Sequence, residues 1–380
     1  MEALAIELRE APRAKVLRYV RENIADGVFV EGQPIPAERE LARQVGVSAG
    51  TVNTALNELQ ERGILHSNGG RIRYVSRQNR GSRLLQNTFI LVGHARLHAN
   101  HRASGWSDWL DQGVVDCARK SGTHCLIFAA DRLEEEWEHL LEANPIGICV
   151  NELINREWPV VQKLAKSHGC PPLVVYGDEA GMENYDRVSA NHEAGGRLIT
   201  QFLLEQGRRK IAIIGPDPTA VDAPYWFVER WNGYRRAMTE AGLEPLPVIA
   251  PPKLPYHITD DFRIWEQRTR LLAGYLADVL LDDRVDALVA PTDRTVPALA
   301  KACKILHKSP NEDVALVGYD HYWSDCHERE WENTPPLASI DKRYYECGQQ
   351  LFELLQKRIT GELPASVQKI LVEPRLVVSP

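Results

Sequence analysis

Seven short apolar runs, at residues 89–92, 125–129, 146–150, 173–176, 211–214, 287–290 and 314–318, recur along the chain with amphipathic stretches between them. Runs this short and without polar alternation suit strands buried on both faces. Parallel strands in turn need a crossing helix between each pair. The alternation therefore predicts an α/β fold with parallel sheets. In such folds ligands collect beyond the carboxyl ends of the strands, which singles out Asn151, Asp178, Asp293 and Asp320 as effector-binding candidates. A carboxylate or amide at several strand ends suits paired hydrogen bonds with vicinal hydroxyls. Arg230 adds a fork of donors, and Trp106, Tyr225, Trp226, Trp265 and Trp323 offer flat faces for stacking on a ring.

The first 76 residues follow a different rhythm. Pro12 suits a first helical turn, Leu17, Val20 and Ile24 share one face, and Gly27 is a left-handed stop. A second helix is expected over about residues 37–45, with Leu41, Ala42 and Val45 facing inward and Gly46 ending it. Ser48 caps a third, whose buried stripe is Val52, Ala55, Leu56 and Leu59; Thr51, Asn53, Thr54 and Asn57 lie nearer the wet face. Residues 64–66 and 71–75, flanking Asn68-Gly69-Gly70, read as a hairpin. Three short helices and a hairpin make a winged helix-turn-helix. Short polar side chains at the start of its third helix can reach phosphates and base edges.

Charge divides the chain in the same place. The formal net charge is -7, yet residues 1–83 carry 13 Lys/Arg against 10 Asp/Glu. Arg62, Arg71, Arg73, Arg77, Arg80 and Arg83 follow one another with no intervening acid, as a segment lying against phosphates requires. The seven cysteines are scattered and never in a C-x-x-C pair, which opposes both a disulfide framework and a zinc ribbon. No run is long enough to span a membrane, and the first residues lack the pattern of a secretory leader, so a cytoplasmic protein is expected.

Residues 32–65 resemble the GntR-type DNA-binding head. The resemblance implies that Arg39, the start of the third helix from Ser48 through Thr51 and Asn53 to Thr54, and the wing residues Gly69 and Gly70 contact an operator. Arg71 and Arg73 flank that wing. Many such heads carry a basic residue after the serine, where this chain has Ala49-Gly50. Residues 187–215, 230–234 and 313–320 resemble the LacI/GalR-type sensor, a periplasmic-binding-protein-like body of two subdomains. That resemblance implies that Arg230 and Asp320 hold effector hydroxyls and that Asn151 lines the same site. Where relatives have Asn-Asp this chain has Thr292-Asp293, and Gly177 stands where some sugar binders carry an acid. The whole resembles the arabinose-repressor type of chimera, a GntR head on a LacI-like body.

The expected plan is a DNA-binding domain over residues 1–76, a linker over 77–87 and an effector domain over 88–380. Within the last, one subdomain takes about 88–190 and 340–362, the other about 191–322 and 366–380. The function expected is sequence-specific repression controlled by a small molecule, a sugar, bound in the C-terminal domain. The implied partners are double-stranded operator DNA, the effector and a second copy of the chain; no cofactor or membrane is involved. His94, His98 and His101 have a spacing a metal could use, but loop histidines without a carboxylate nearby are ordinarily solvent-facing, and no metal is expected. Two rivals differ in class. An aminotransferase-like body behind a GntR head needs a Schiff-base lysine and a longer catalytic region. A solute-binding protein for transport needs export and no DNA head. No G-x-S-x-G, phosphate-loop or H-E-x-x-H motif occurs, so an enzyme is not expected.

Overall fold

The structure is a computed structural model that describes residues 11–61, 63–67, 72–76, 87–93, 106–142, 144–151, 158–166, 170–251 and 261–379. Gly69, Gly70, Arg71, the remaining basic residues at 62, 77, 80 and 83, and the histidines at 94, 98 and 101 lie outside them. The chain forms two compact units, one from residues 1–93, 118–174 and 352–367, the other from 94–117, 175–351 and 368–380.

The first unit begins with α1 (Pro12–Ala25), α2 (Glu38–Val45), α3 (Ala49–Glu61), β1 (Leu65–His66) and β2 (Tyr74–Val75). Pro12 opens α1, and Gly46 ends α2 with φ 72°, a left-handed turn that costs glycine nothing. Val16, Val20, Leu41, Val45, Val52, Ala55, Leu56 and Leu59 meet Leu65 and Val75 in one core, with Leu17 and Ile24 packed at its edge. β1 and β2 pair antiparallel, Leu65 opposite Val75, and Pro34 bridges to Tyr74 as a third short strand.

The same unit then holds β3 (Thr88–Gly93), the tail of α4 (Trp106–Lys120), β4 (His124–Ala129), α5 (Leu133–Glu142), β5 (Ile148–Val150) and α6 (Trp158–Ala165). β3 runs parallel between β4 and β5, with Leu91 opposite Ile127 and Cys149. β3 and β5 are wholly buried, but β4 is an edge strand that leaves Leu126 and Ile127 about 40% exposed, contrary to the expectation of burial on both faces.

After β6 (Leu173–Tyr176), where the chain passes into the second unit, come β7 (Asp186–Ala190), α7 (His192–Glu205), β8 (Ile211–Ile213), α8 (Tyr225–Glu240) and α9 (Phe262–Leu281). They are followed by β9 (Ala287–Val289), α10 (Val296–Ile305), β10 (Ala315–Tyr319), β11 (Ala338–Asp341), α11 (Tyr344–Thr360), β12 (Lys369–Val372) and β13 (Arg375–Val378). Five strands form a sheet in the order β13-β11-β10-β9-β8, parallel except for β13 at the edge. Alternate side chains divide between its faces as strand geometry demands. Ala212, Leu288 and Leu316 meet α9 and α10, whereas Ile211, Ile213, Val289, Val317 and Ile340 meet α7 and α8. α7 and α8 approach so closely that a Cβ at Gly196 would overlap the Arg230 backbone carbonyl, and one at Gly233 the Glu193 carbonyl.

Candidate functional site

Two sites take shape, one in each unit. In the first, Ser48 precedes α3 and its Oγ accepts the Thr51 backbone N–H at 3.1 Å while sharing a 2.8 Å hydrogen bond with Thr51 Oγ1. This is N-capping, and it leaves Asn53, Thr54 and Asn57 exposed opposite the buried stripe. Thr54 Oγ1 donates back to the Gly50 carbonyl at 3.0 Å.

The two arginines of this surface that lie within the described residues behave differently. Arg39 is exposed near the start of α2 and forms no side-chain ion pair among those residues. Arg73 is nearly buried: Nη1 donates to Glu38 Oε1 at 2.7 Å, and Nη2 donates to Asn53 Oδ1 at 2.8 Å and Asn57 Oδ1 at 2.5 Å. It straps the wing to α2 and α3. Charge pattern alone placed it on phosphates; its contacts are to its own domain.

In the second unit the carboxyl ends of β9, β10 and β11, adjacent in the sheet, bring together Asp293, Asp320 and Lys342. Arg230 reaches the same place from α8. Its Nη1 donates to the Pro291 carbonyl at 2.8 Å, its Nε points to His192 Nδ1 at 3.4 Å, and its Nη2 stands 3.8 Å from Asp320 Oδ1. The guanidinium carbon lies 4.6 Å from the Trp226 ring centroid and 3.5 Å from that of Tyr319. Trp226 therefore steadies a buried cation through its π face. Lys342 Nζ lies 2.7 Å from Asp320 Oδ1 and also contacts the Tyr344 hydroxyl. Asp320 and His321 both adopt left-handed backbone, φ 88° and 50°, a conformation that costs non-glycine residues free energy and recurs at binding sites.

Asp293 is wholly buried. Its Oδ2 accepts the Tyr322 and Trp323 backbone N–H groups at 2.7 and 3.1 Å, and its Oδ1 accepts the Ser339 hydroxyl at 2.7 Å. Burial pushes its carboxyl up to about 7; the Asp320 charge adds to this and the three hydrogen bonds oppose it. Burial, reinforced by the charges of Arg230 and Lys342, holds His192 well below the usual imidazole range, so it stays neutral.

These shifts have opposite consequences for stability. Asp293 binds a proton more tightly when folded, so its contribution is complete below about pH 4 and lost as pH rises through about 7. His192, folded in its neutral form, costs stability as pH falls below 6.5. Comparison with Asp293→Asn isolates the first. The melting temperature of the wild type should fall by several degrees relative to that variant between pH 5 and 8, and parallel curves would assign the titration elsewhere.

The remaining candidates are placed as follows. Asp178 pairs with Arg187 at 2.7 Å and also with Lys369, so its charge is already answered. Trp323 is half-buried against the α9–α10 core and gives its backbone N–H to Asp293. Trp265 packs between Phe262 and Trp331, and Tyr225 lies edge-on to His192. Asn151, in the first unit, is buried just past β5, its N–H bonded to the Val92 carbonyl at 2.8 Å. His192, Tyr319, Ser339 and Lys342 were not foreseen. Among the described residues no group of His, Cys, Asp and Glu could hold a metal ion, and no helix is long and apolar enough to cross a membrane.

Comparison with known proteins finds a match within each part. Residues 12–75 match the bacterial regulatory proteins of the gntR family, and residues 200–378 match the periplasmic binding protein-like domain. The chain is 31% identical to the HTH-type transcriptional regulator CelR of Thermobifida fusca over 231 residues, 59% of this chain and 60% of that protein. It is 29% identical to the ribose operon repressor of Escherichia coli K12 over 202 residues, 51% of each. The chain thus spans three fifths or less of the length of these curated relatives. A solved structure of a CelR–cellobiose complex superposes with a TM-score of 0.59 at 22% identity, covering 90% of this chain and 99% of that one, which shows a shared fold.

Proposed function

We propose that this chain, which joins a GntR-type helix-turn-helix head to a LacI-type periplasmic-binding-protein-like body, is a DNA-binding transcription repressor released or retained by a small molecule. The observation that carries the reading is the buried Arg230–Asp320 pair at the carboxyl ends of parallel strands, in a chain that also presents an exposed recognition-helix surface. A guanidinium fork and a carboxylate held close together suit a polyhydroxylated ligand. Both curated relatives are regulators, one of them named for a ribose operon, and one solved neighbour holds cellobiose. A sugar-like effector in the second unit follows.

The reading includes a homodimer, which places two recognition helices on a palindromic operator about one helical turn apart, or a multiple of it. Arg39, Ser48, Thr51, Asn53 and Thr54 serve the DNA surface, with the wing at Gly69, Gly70 and Arg71. Arg230 and Asp320 serve the effector, Asp293 shapes their surroundings, and no cofactor or catalytic step is required. An effector alters operator affinity only by binding one arrangement of the dimer better than the other.

The test is operator selection from a random duplex pool with the purified full-length chain, followed by titration at several salt concentrations with and without candidate effectors. Affinity for the selected duplex should fall about 1,000-fold or more between 50 and 200 mM salt, as roughly 6–10 phosphate contacts would require. A flat salt response, or retention that no small molecule changes, counts against the DNA reading or the coupling respectively.

A further inference from the structure

Four consecutive backbone N–H groups just past β10 are all claimed from the neighbouring strands. Asp320 N–H donates to the Ile340 carbonyl at 2.7 Å, and His321 N–H to Ser339 Oγ at 3.0 Å. The Tyr322 and Trp323 N–H groups share Asp293 Oδ2, and Ser339 in turn donates its hydroxyl to Asp293 Oδ1. Three of the four bonds therefore lead to one buried carboxylate, directly or through one hydroxyl. A turn that directs successive N–H groups to one place makes a concavity for an anion, and here the anion is the protein's own. The carboxylate is seated over Gly318, where a Cβ would overlap its Oδ1. The left-handed backbone at Asp320 and His321 persists only because surrounding groups hold it.

We propose that Asp293 is a positioning residue of the effector site: directly and through Ser339 it fixes the turn that carries Asp320, and its protonation regulates effector affinity. The proposal rests on the reading of the Arg230–Asp320 pair as the effector site. The ionised carboxylate accepts all three bonds as charge-assisted hydrogen bonds. A proton on Oδ1 turns that oxygen into a donor toward Ser339 Oγ, which reverses one bond and weakens the other two. The turn loosens, and Asp320 with it. Burial and the Asp320 charge place this titration at about 7. The other charged groups nearby are Arg230 and Lys342 at Asp320 Oδ1, and Glu328, held by Arg294 at 2.5 Å. His321 lies on the turn itself. Effector affinity should therefore rise as pH rises through about 7.

The experiment uses the full-length chain and four probes: D-ribose, L-arabinose, D-xylose and cellobiose. Each is titrated calorimetrically between about pH 5.5 and 8.5, and hydrogen exchange across residues 320–326 is followed by mass spectrometry at the same pH values. The wild type should bind at least one sugar about 10-fold more tightly at the upper end, as the loss of charge assistance from these bonds implies. Asp293→Asn keeps an oxygen for both amides and an N–H for Ser339 but cannot titrate. It should hold affinity at the upper end within about threefold and show no midpoint near 7. Asp293→Ala should bind at least about 10-fold more weakly and exchange the amides of residues 321–323 faster at every pH. If the alanine variant does not fold, Ser339→Ala and the comparison of wild type with Asp293→Asn still decide. Identical pH profiles in those two proteins, or unchanged exchange and affinity in the alanine variant, overturn the proposal. A sugar that binds equally to every variant leaves the effector reading standing and removes the positioning. Exchange that responds as expected while no sugar binds leaves the positioning standing and removes the sugar.

Discussion

Exchange of Arg230 for methionine is expected to give an operator complex that no longer answers to its effector. The substitution keeps an unbranched apolar stem between Trp226 and Tyr319 but removes every donor the residue presents. The Pro291 carbonyl loses its 2.8 Å partner, and among the described residues Asp320 keeps Lys342 as its ion-pair partner. Loss of one member of a buried, hydrogen-bonded charge set costs about 2–5 kcal/mol in binding, or roughly 30- to 5,000-fold in effector affinity. Calorimetry with the effector, alongside operator titration in its presence, measures both parts. Effector affinity within threefold of the wild type would remove Arg230 from the site.

Arg39→Ala and Arg73→Ala should separate contact from architecture. Arg39 is exposed and unpaired among the described residues, so its removal should leave the melting temperature within about a degree, since surface substitutions away from special features are usually worth under about 0.5 kcal/mol. Operator affinity should nonetheless fall about 10- to 100-fold, with a shallower salt dependence if the contact is to phosphate. Arg73→Ala strands Glu38, Asn53 and Asn57, which now converge on one guanidinium, and should cost about 1–3 kcal/mol of domain stability. Thermal melting and fluorescence anisotropy of the same samples distinguish the two. An Arg73→Ala protein that melts normally but releases DNA would make Arg73 a direct contact, and an Arg39→Ala protein with full affinity would strike Arg39 from the surface.

The head was legible because each of its elements has a period and a stop. The stripe from Val52 to Leu59, the Ser48 cap and the Gly46 turn all stand where periodicity and capping put them. The strands that read as apolar runs were equally visible, but the others carry no such signal. β7 is Asp-Arg-Val-Ser-Ala and β11 is Ala-Ser-Ile-Asp, short segments whose polar residues find partners only in the folded sheet. β4 errs the other way, since apolar composition cannot reveal that a strand stands at an edge.

The same limit applies to the proposed effector site. Asp293 and Asp320 follow readable strands, so a rule about strand ends finds them. Lys342 follows β11, which was not readable, and a lone lysine after a polar tetrapeptide gives no hint that it will be buried against a carboxylate. His192 lies inside a recognisable stretch, but only packing against Arg230 gives it a role. Arg73 shows the converse: its charge was plain, and the three acceptors that claim it come from two helices distant in the chain.

The crossing of α7 over α8 bears on how such a site can be lost. Arg230 stands where it does because Gly196 and Gly233 let two backbones touch, each lying where a methyl group would collide with the opposite helix. Alanine at either place wedges the helices apart and carries the guanidinium off its two aromatic plates. If Arg230 serves the effector as proposed, metabolite deafness should therefore arise from a residue that has no side chain and never meets the metabolite.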